Sequence, residues 1–500
     1  MEEKLAELKA RLAEIYDLRA ASAVLSWDQQ TYMPPGGAGA RAEILATLSR
    51  LAHEKFTSTE TGRLLDELKT TLDSADPDGD DVRLIQAAAR DYEREHKLPA
   101  ELVAEFARAA ALAHEAWVKA RSEKNFQAFL PALEKIFTLS RRAADYYGFA
   151  DSPYDALLDG YEPGAKTADV RRIFAELRDG LVPLVKAIAA RPETDDSVLR
   201  QRYAEQKQWQ FAEEVIKKLG YDFDRGRQDK APHPFCATFG LGDVRLTARV
   251  DENFLPTHLM SAIHEAGHGM YEQGLTPSLA RSPLFDAPSL GLHESQSRLW
   301  ENLVGRSRGF WKYYYPRLQS VFPENLDGVD FGVFYQAINK VKPSLIRVEA
   351  DEVTYSLHIM IRFEIEVDVL EGRLAVQDIP GAWNAKYKDY LGLDVPDDSL
   401  GCLQDVHWSM GYVGYFSTYT LGNLASVQIF EKAMADEPAI PADIERGEFA
   451  SLLGWLRMNI HQHGRKYQPG ELLQRVTGRP LDSAPYLAYL QRKYSEIYGL

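Results

Sequence analysis

The sequence is poor in cysteine, in excess positive charge and in long apolar runs. Only Cys236 and Cys402 occur in 500 residues, so no disulfide framework is built and a reducing compartment is expected. Lys and Arg number 58 against 74 Asp and Glu, a net charge of −16. That argues against a nucleic-acid binder, which needs a basic surface to displace counterions. No run of about 18 apolar residues is present to span a bilayer. The opening MEEKLAELKARLAEIYDL lacks the basic and then apolar regions of a secretory signal. It reads instead as a charged amphipathic helix, with Leu5, Leu8, Leu12 and Ile15 on one stripe. No repeat or low-complexity tract appears. The expectation is a soluble, cytoplasmic protein without nucleic-acid or membrane partners.

What is there is mostly helical. Residues 36–72, 81–148, 167–190 and 195–219 place Ala, Leu, Glu, Lys and Arg at helical spacing. Breaks fall at 33–37, 73–81, 162–166 and 191–196, where Pro, Gly and Asp cluster. One stretch differs. In DVRLTARV, Val244, Leu246, Ala248 and Val250 alternate with polar residues, which is a strand period. A small hairpin or sheet is predicted over 235–254, and helices again over 257–274, 293–313, 330–372 and 405–435. The fold class is mainly α, with a minor β element.

SAIHEAGHGM at 261–270 carries the sharpest chemical signal. His264 and His268 are one helical turn apart and can reach one tetrahedral ion. Glu265 lies on the neighbouring edge, placed to take a proton from an attacking water. This is the H-E-x-x-H pattern. Two solvated surface histidines are the bland alternative, but Ala262, Ile263, Ala266, Gly267 and Gly269 make a small apolar helix suited to an interior. Gly267 and Gly269 cost helix propensity, which close packing can offset. A hydrolytic metal site needs a third protein ligand and an open position. Position 274, where an extended motif has a third histidine, is Gly. Glu294 in GLHESQSRLWEN is the best candidate, after a loop that lets a second helix return. His293 competes for that role, Glu301 lies one or two turns on, and Glu294 itself can be read as a first-turn carboxylate facing the helix dipole.

Three further polar clusters stand out. His233, Asp243 and Arg245 flank the predicted strand. Arg347 and Asp351 are four apart on a predicted helix, where they can form a simple ion pair. Gln404, Asp405, His407 and Trp408 precede Tyr412, Tyr415 and Tyr419. Asp405 can orient His407 or cap a helix, and tyrosines at this spacing often form a core stripe.

Seven motifs, taken in order, resemble the M32 family of metallocarboxypeptidases, the thermostable carboxypeptidase type. They are LSWDQQTYMPPGGAGAR (25–41), H-P-F at His233–Phe235, D-x-R-x-T at Asp243–Thr247, H-E-x-x-H at His264–His268, H-E-S-Q at His293–Gln296, I-R-x-x-A-D at Ile346–Asp351 and G-x-x-Q-D-x-H-W at Gly401–Trp408. The resemblance implies one helical catalytic domain over 1–500, like that of angiotensin-converting enzyme and neurolysin, with two halves flanking a deep groove. It also implies a homodimer. It supports His264, His268 and Glu294 as ligands of Zn2+, with Co2+ or Mn2+ as substitutes, and Glu265 as general base. It places Arg347 near the substrate's terminal carboxylate. By analogy, His407 and a downstream tyrosine, with Tyr415 chosen over Tyr412 and Tyr419, stabilise the oxyanion. His233, Arg245, Asp405 and Tyr412 are carried as further substrate contacts.

The expected activity is release of single C-terminal residues from peptides. The alternative is an oligoendopeptidase or dipeptidyl carboxypeptidase on the same scaffold. An aminopeptidase is disfavoured because no G-x-M-E-N stretch is present. A binding protein with a structural zinc is disfavoured because neither cysteine is spaced to close the fourth position.

Overall fold

Helices dominate the computed structural model, which describes residues 2–72 and 75–500; positions 73 and 74 of the expected 73–81 break lie outside the described residues. The first helix, Glu2–Thr31, buries Leu8, Leu12 and Ile15, three of the four residues on the predicted stripe. The predicted helical stretches divide where the sequence offers breakers. The 81–148 region becomes Asp80–Lys97, Ala100–Glu123 and Phe126–Tyr147. Lys124 ends the second of these in a left-handed conformation, with φ of 56°.

The β element is a three-stranded sheet. β1 (Gly226–Lys230) runs parallel to β3 (Asp243–Ala248), and β2 (Cys236–Gly240) runs antiparallel to it, in the order β1-β3-β2. The hairpin is the predicted one, and β1 is an addition. Val244, Leu246 and Ala248 are fully buried, as the alternation requires. Gln-Asp in β1 carries no alternating apolar signal, so its pairing is set by the partner strand rather than by its own pattern.

Behind the sheet lies the histidine helix, Pro256–Glu272. The glutamate helix, Leu290–Arg298, crosses it and is gripped from the other side by Ser417–Asp436. Two glycines permit this clasp. A Cβ at Gly267 would lie 2.6 Å from the Ser297 Cα, and one at Gly422 would lie 2.8 Å from the Glu294 Cβ. Backbone that close tolerates no side chain, so the helix-propensity cost of Gly267 is offset by packing.

Three predicted stretches are corrected. Residues 330–372 are two helices, Phe331–Ile338 and Tyr355–Leu370, joined by an irregular segment with one short turn at Arg347–Glu349. Pro343 lacks an N–H and cannot continue a helix, and the Arg347 N–H donates to the Gln404 side chain at 2.9 Å instead of up a helix. The helix expected from 405 begins only at Ser417, because Gly411 and Gly414 take φ of +78° and +97°. The 293–313 stretch is interrupted by a π turn at Leu299–Val304. The glutamate helix starts at Leu290, with the Ser289 hydroxyl accepting from the Leu292 N–H, so Glu294 is not a first-turn residue.

Candidate active site

His264 Nε2 and His268 Nε2 lie 3.6 and 3.4 Å from the same atom, Glu294 Oε2. The three ligand atoms lie within 4.8 Å of one another. This set forms because two histidines one turn apart face a carboxylate on a helix held at glycine distance. His264 Nδ1 is 2.9 Å from Glu301 Oε2. An N–H there donates to the carboxylate and leaves Nε2 with its lone pair free, the tautomer a metal requires. Burial holds His268 down to about 3, so its ring is neutral. Burial opposes protonation of His264 too, but the Glu294 charge and the Glu301 hydrogen bond raise it, so a bound cation takes the place of a proton there. Two imidazoles and one carboxylate fit a divalent ion and leave a position open.

Arg298 explains the aim of Glu294. Its Nε donates to Glu294 Oε1 at 2.7 Å and its Nη1 to Glu301 Oε2 at 3.2 Å. Burial opposes ionisation of Glu294, but Arg298 and His264 hold it well below the usual carboxylate range. The π turn matters here, since it carries Glu301 toward His264; such turns recur at functional sites. Glu301 is therefore not a competing ligand in this geometry but a partner of one. His293 is likewise turned away: it stacks on His268 with ring centroids 4.2 Å apart and pairs through Nε2 with Glu272 Oε1 at 2.9 Å. Glu265 is buried, and burial lifts its carboxyl to about 7; a cation held by the adjacent histidines would pull it back down.

A second cluster contains Arg347. Its Nε and Nη2 donate to Asp405 Oδ1 at 3.0 and 2.9 Å, and its Nη1 donates to the Tyr355 hydroxyl at 3.0 Å. The expected Arg347–Asp351 pair is not formed. Asp351 instead accepts from the N–H groups of Lys342, Val353 and Thr354, because the segment is a loop and not a helix. Asp405 neither caps a helix nor bonds to His407. Its other oxygen accepts from Arg362 Nε at 2.7 Å, so two guanidinium groups face one carboxylate. Those arginines hold Asp405 well below its ordinary range despite its burial. Arg362 was not singled out from the sequence, where it looks like one charge in an ordinary helix.

His407 sits with its Nε2 3.4 Å from the Tyr419 hydroxyl and its ring 5.4 Å from that of Tyr415. Burial keeps it neutral, down to about 4. Burial raises Tyr415 and Tyr419, and the Glu294 charge adds to both. Tyr412 is 43% exposed and stacks on Tyr415 from outside.

The strand cluster is structural in its contacts. Arg245 pairs with Asp243 through two hydrogen bonds of 2.7 Å and lies against the Trp27 and Phe239 rings. His233 is exposed, and its carbonyl accepts from the Thr247 hydroxyl at 3.4 Å. Thr247 also accepts from the Phe235 N–H at 2.8 Å, so the D-x-R-x-T strand pins the H-P-F loop.

The comparisons agree with this architecture. The model of the Carboxypeptidase Taq (M32) metallopeptidase family matches residues 7–494. Thermostable carboxypeptidase 1 of Thermus thermophilus is 42% identical, covering 96% of each chain. Carboxypeptidase 1 of Bacillus subtilis is 39% identical over 98% of this chain and 97% of that one. The crystal structure of the M32 carboxypeptidase from Deinococcus radiodurans superposes with a TM-score of 0.97 at 43% identity, covering all of both chains. The Pyrococcus furiosus carboxypeptidase structure gives 0.95 at 33% identity, covering 99% of each. With the H-E-x-x-H helix, the returning glutamate and the arginine cluster already in place, these matches along nearly the whole chain show that the protein belongs to the M32 family of metallocarboxypeptidases.

Proposed function

We propose that this protein is a zinc-dependent carboxypeptidase that releases single C-terminal residues from peptides. The observation that carries the hydrolytic reading is the convergence of two imidazole nitrogens on one carboxylate oxygen, with Glu265 next in sequence to the first histidine. A divalent ion held by His264, His268 and Glu294 would polarise the scissile carbonyl and acidify the attacking water. Glu265 accepts the water's proton and returns it to the leaving amine. His407, as a neutral imidazole, and Tyr415 donate hydrogen bonds toward the carbonyl oxygen as it gains charge.

Arg347 supports the exopeptidase reading. Two guanidinium groups against the single carboxylate of Asp405 leave one positive charge uncompensated in a buried place. A terminal carboxylate would neutralise it with charge-assisted hydrogen bonds, which a peptide amide cannot match. Arg347 uses three of its five N–H donors within the protein and keeps two for such a ligand. In this reading Asp405 orients the arginine rather than touching substrate, and His233 and Arg245 shape the wall beside the site.

Zinc suits two imidazoles and a carboxylate, with cobalt or manganese as substitutes. The unpaired Cys236 and Cys402 suit a reducing cytoplasm. A homodimer and two helical halves flanking a groove follow from family resemblance. Chromatography of digests of one peptide, with a free or an amidated C terminus, tests the activity alongside metal analysis of the purified protein. Loss of single residues from the free acid alone supports the proposal. Internal cleavage or dipeptide release from both would assign it to another peptidase class.

A further inference from the structure

The helix Tyr355–Leu370 is buried on nearly every face, yet it carries His358, Arg362 and Glu366 at successive turns. All three are fully buried. Polar side chains this deep are costly unless partnered, and the partners of Arg362 and Glu366 lie largely in one segment, residues 404–414. Arg362 donates to Gln404 Oε1 at 2.8 Å and to Asp405 Oδ2 at 2.7 Å. Glu366 reaches further along the same segment. Its Oε1 accepts from the Trp408 indole N–H at 2.7 Å, and its Oε2 accepts from the Gly414 N–H at 3.0 Å. The Tyr154 hydroxyl donates to Oε2 at 3.0 Å as well.

The two gripped points have a meaning in the chain. Trp408 directly follows His407, and Gly414 directly precedes Tyr415. Between them the backbone makes a short turn, His407–Met410, and then reverses through Gly411 and Gly414 at positive φ. A segment with two left-handed glycines has little stiffness of its own. One carboxylate with an oxygen on each end of it supplies what the local backbone does not. We propose that Glu366 is a positioning residue for catalysis: by bracing Trp408 and Gly414 together it sets His407 and Tyr415 at a fixed separation on the carbonyl side of the metal site.

This rests on the reading that His407 and Tyr415 assist the carbonyl oxygen, and the test separates the two. Glu366→Gln keeps the size, but its amide group turns N–H donors toward either the indole or the Gly414 N–H. The zinc-loaded variant is compared with wild type for metal content, melting temperature, kcat and KM on a free-acid peptide, and affinity for a phosphinic peptide that mimics the attacked carbonyl. His407→Ala and Tyr415→Phe are measured beside it. The expected result is full metal content and unchanged KM, with kcat and phosphinic-peptide affinity both reduced about 10- to 100-fold, as for a group misplaced by around an ångström. A purely structural carboxylate would lower melting temperature and leave kcat of the folded fraction intact, which would overturn the proposal. If His407→Ala and Tyr415→Phe themselves leave kcat and phosphinic-peptide affinity at wild-type values, the underlying reading falls and Glu366 with it. Should Glu366→Gln not fold, Trp408→Phe decides, because it removes one of the two braces alone. It is expected to lower kcat at constant KM, and wild-type kcat in that variant would overturn the proposal.

Discussion

Glu301 lies 2.9 Å from His264 Nδ1, on the side of the ring away from Glu294, and the π turn at Leu299–Val304 is what puts it there. The carboxylate fixes the ring's tautomer and orientation before any ion arrives. Partners of this kind typically account for 10–100-fold in metal affinity or activity. Glu301→Ala is expected to weaken metal binding by about that factor while the fold persists. Competition with a chelator of known affinity measures it, and wild-type affinity would show that His264 is oriented by packing alone.

Glu265 stands apart from the ion-binding set, so its removal is expected to separate binding from chemistry. Glu265→Gln keeps the side-chain volume and abolishes the base. Metal content should stay at the wild-type level while kcat falls by at least ~10²-fold, in the range of general acid–base catalysis. Near-normal turnover with metal bound would reassign the base.

Arg347→Ala leaves Asp405 paired with Arg362 alone, a neutral couple, so the variant is expected to fold and hold metal. Its kcat/KM on free-acid peptides should drop by about 2–5 kcal/mol of lost charged contact. Cleavage of the amidated peptide, poor already, should hardly change, and the two substrates should converge. An equal fractional loss on both would mean that Arg347 supports the segment and that the carboxylate is held elsewhere.

Two glycines offer opposite outcomes for the same substitution. Gly267→Ala would set a methyl 2.6 Å from the Ser297 Cα, forcing the histidine and glutamate helices apart. Lower melting temperature and weaker metal binding are expected together. Gly454, in the helix Ala450–Asn459, has nothing within 4 Å of an added Cβ. Gly454→Ala is expected to stabilise by about 0.4–1 kcal/mol through the unfolded state and to leave metal affinity alone. Calorimetry and metal titration on both variants check the contrast.

His258 supplies a pH dependence independent of the metal. It is fully buried and stacks on Trp209 with centroids 4.9 Å apart, and burial lowers its pKa to about 4. In the unfolded chain a histidine titrates near 6.5. Below that value the unfolded state takes up a proton that the folded state refuses, so this contribution falls away as pH drops from about 6.5 toward 4. The loss approaches ~3 kcal/mol for the single residue. His258→Phe should therefore gain on wild type by roughly that amount between pH 7 and pH 4.5, read from denaturation midpoints at both values. A constant difference would mean that His258 is charged in the folded protein.

Much of this was legible along the chain. Helical spacing located most of the helices, alternation located the hairpin, and the pair of histidines four apart announced the metal site. Glu294 was reached as a candidate by the need for a third ligand, which is a chemical requirement and not a pattern, and the structure brings its carboxylate to both histidines. One misreading shows how a local pattern misleads. Arg347 and Asp351 look like a helical ion pair because four-residue spacing is meaningful only inside a helix, and there Pro343 and the Gln404 side chain have removed the helix.

By itself the sequence determined which residue types could bind a metal and which helix would present them, because those depend on local geometry and side-chain chemistry. Only the tertiary structure decided the partnerships: Arg347 with Asp405, Glu301 behind His264, His293 turned to Glu272, and Arg362 and Glu366 holding the segment that carries His407 and Tyr415. Such groups are tens of residues apart or on a turn that departs from α-helical geometry. Their pairing is fixed by which surfaces the buried core brings together, and no local period records that.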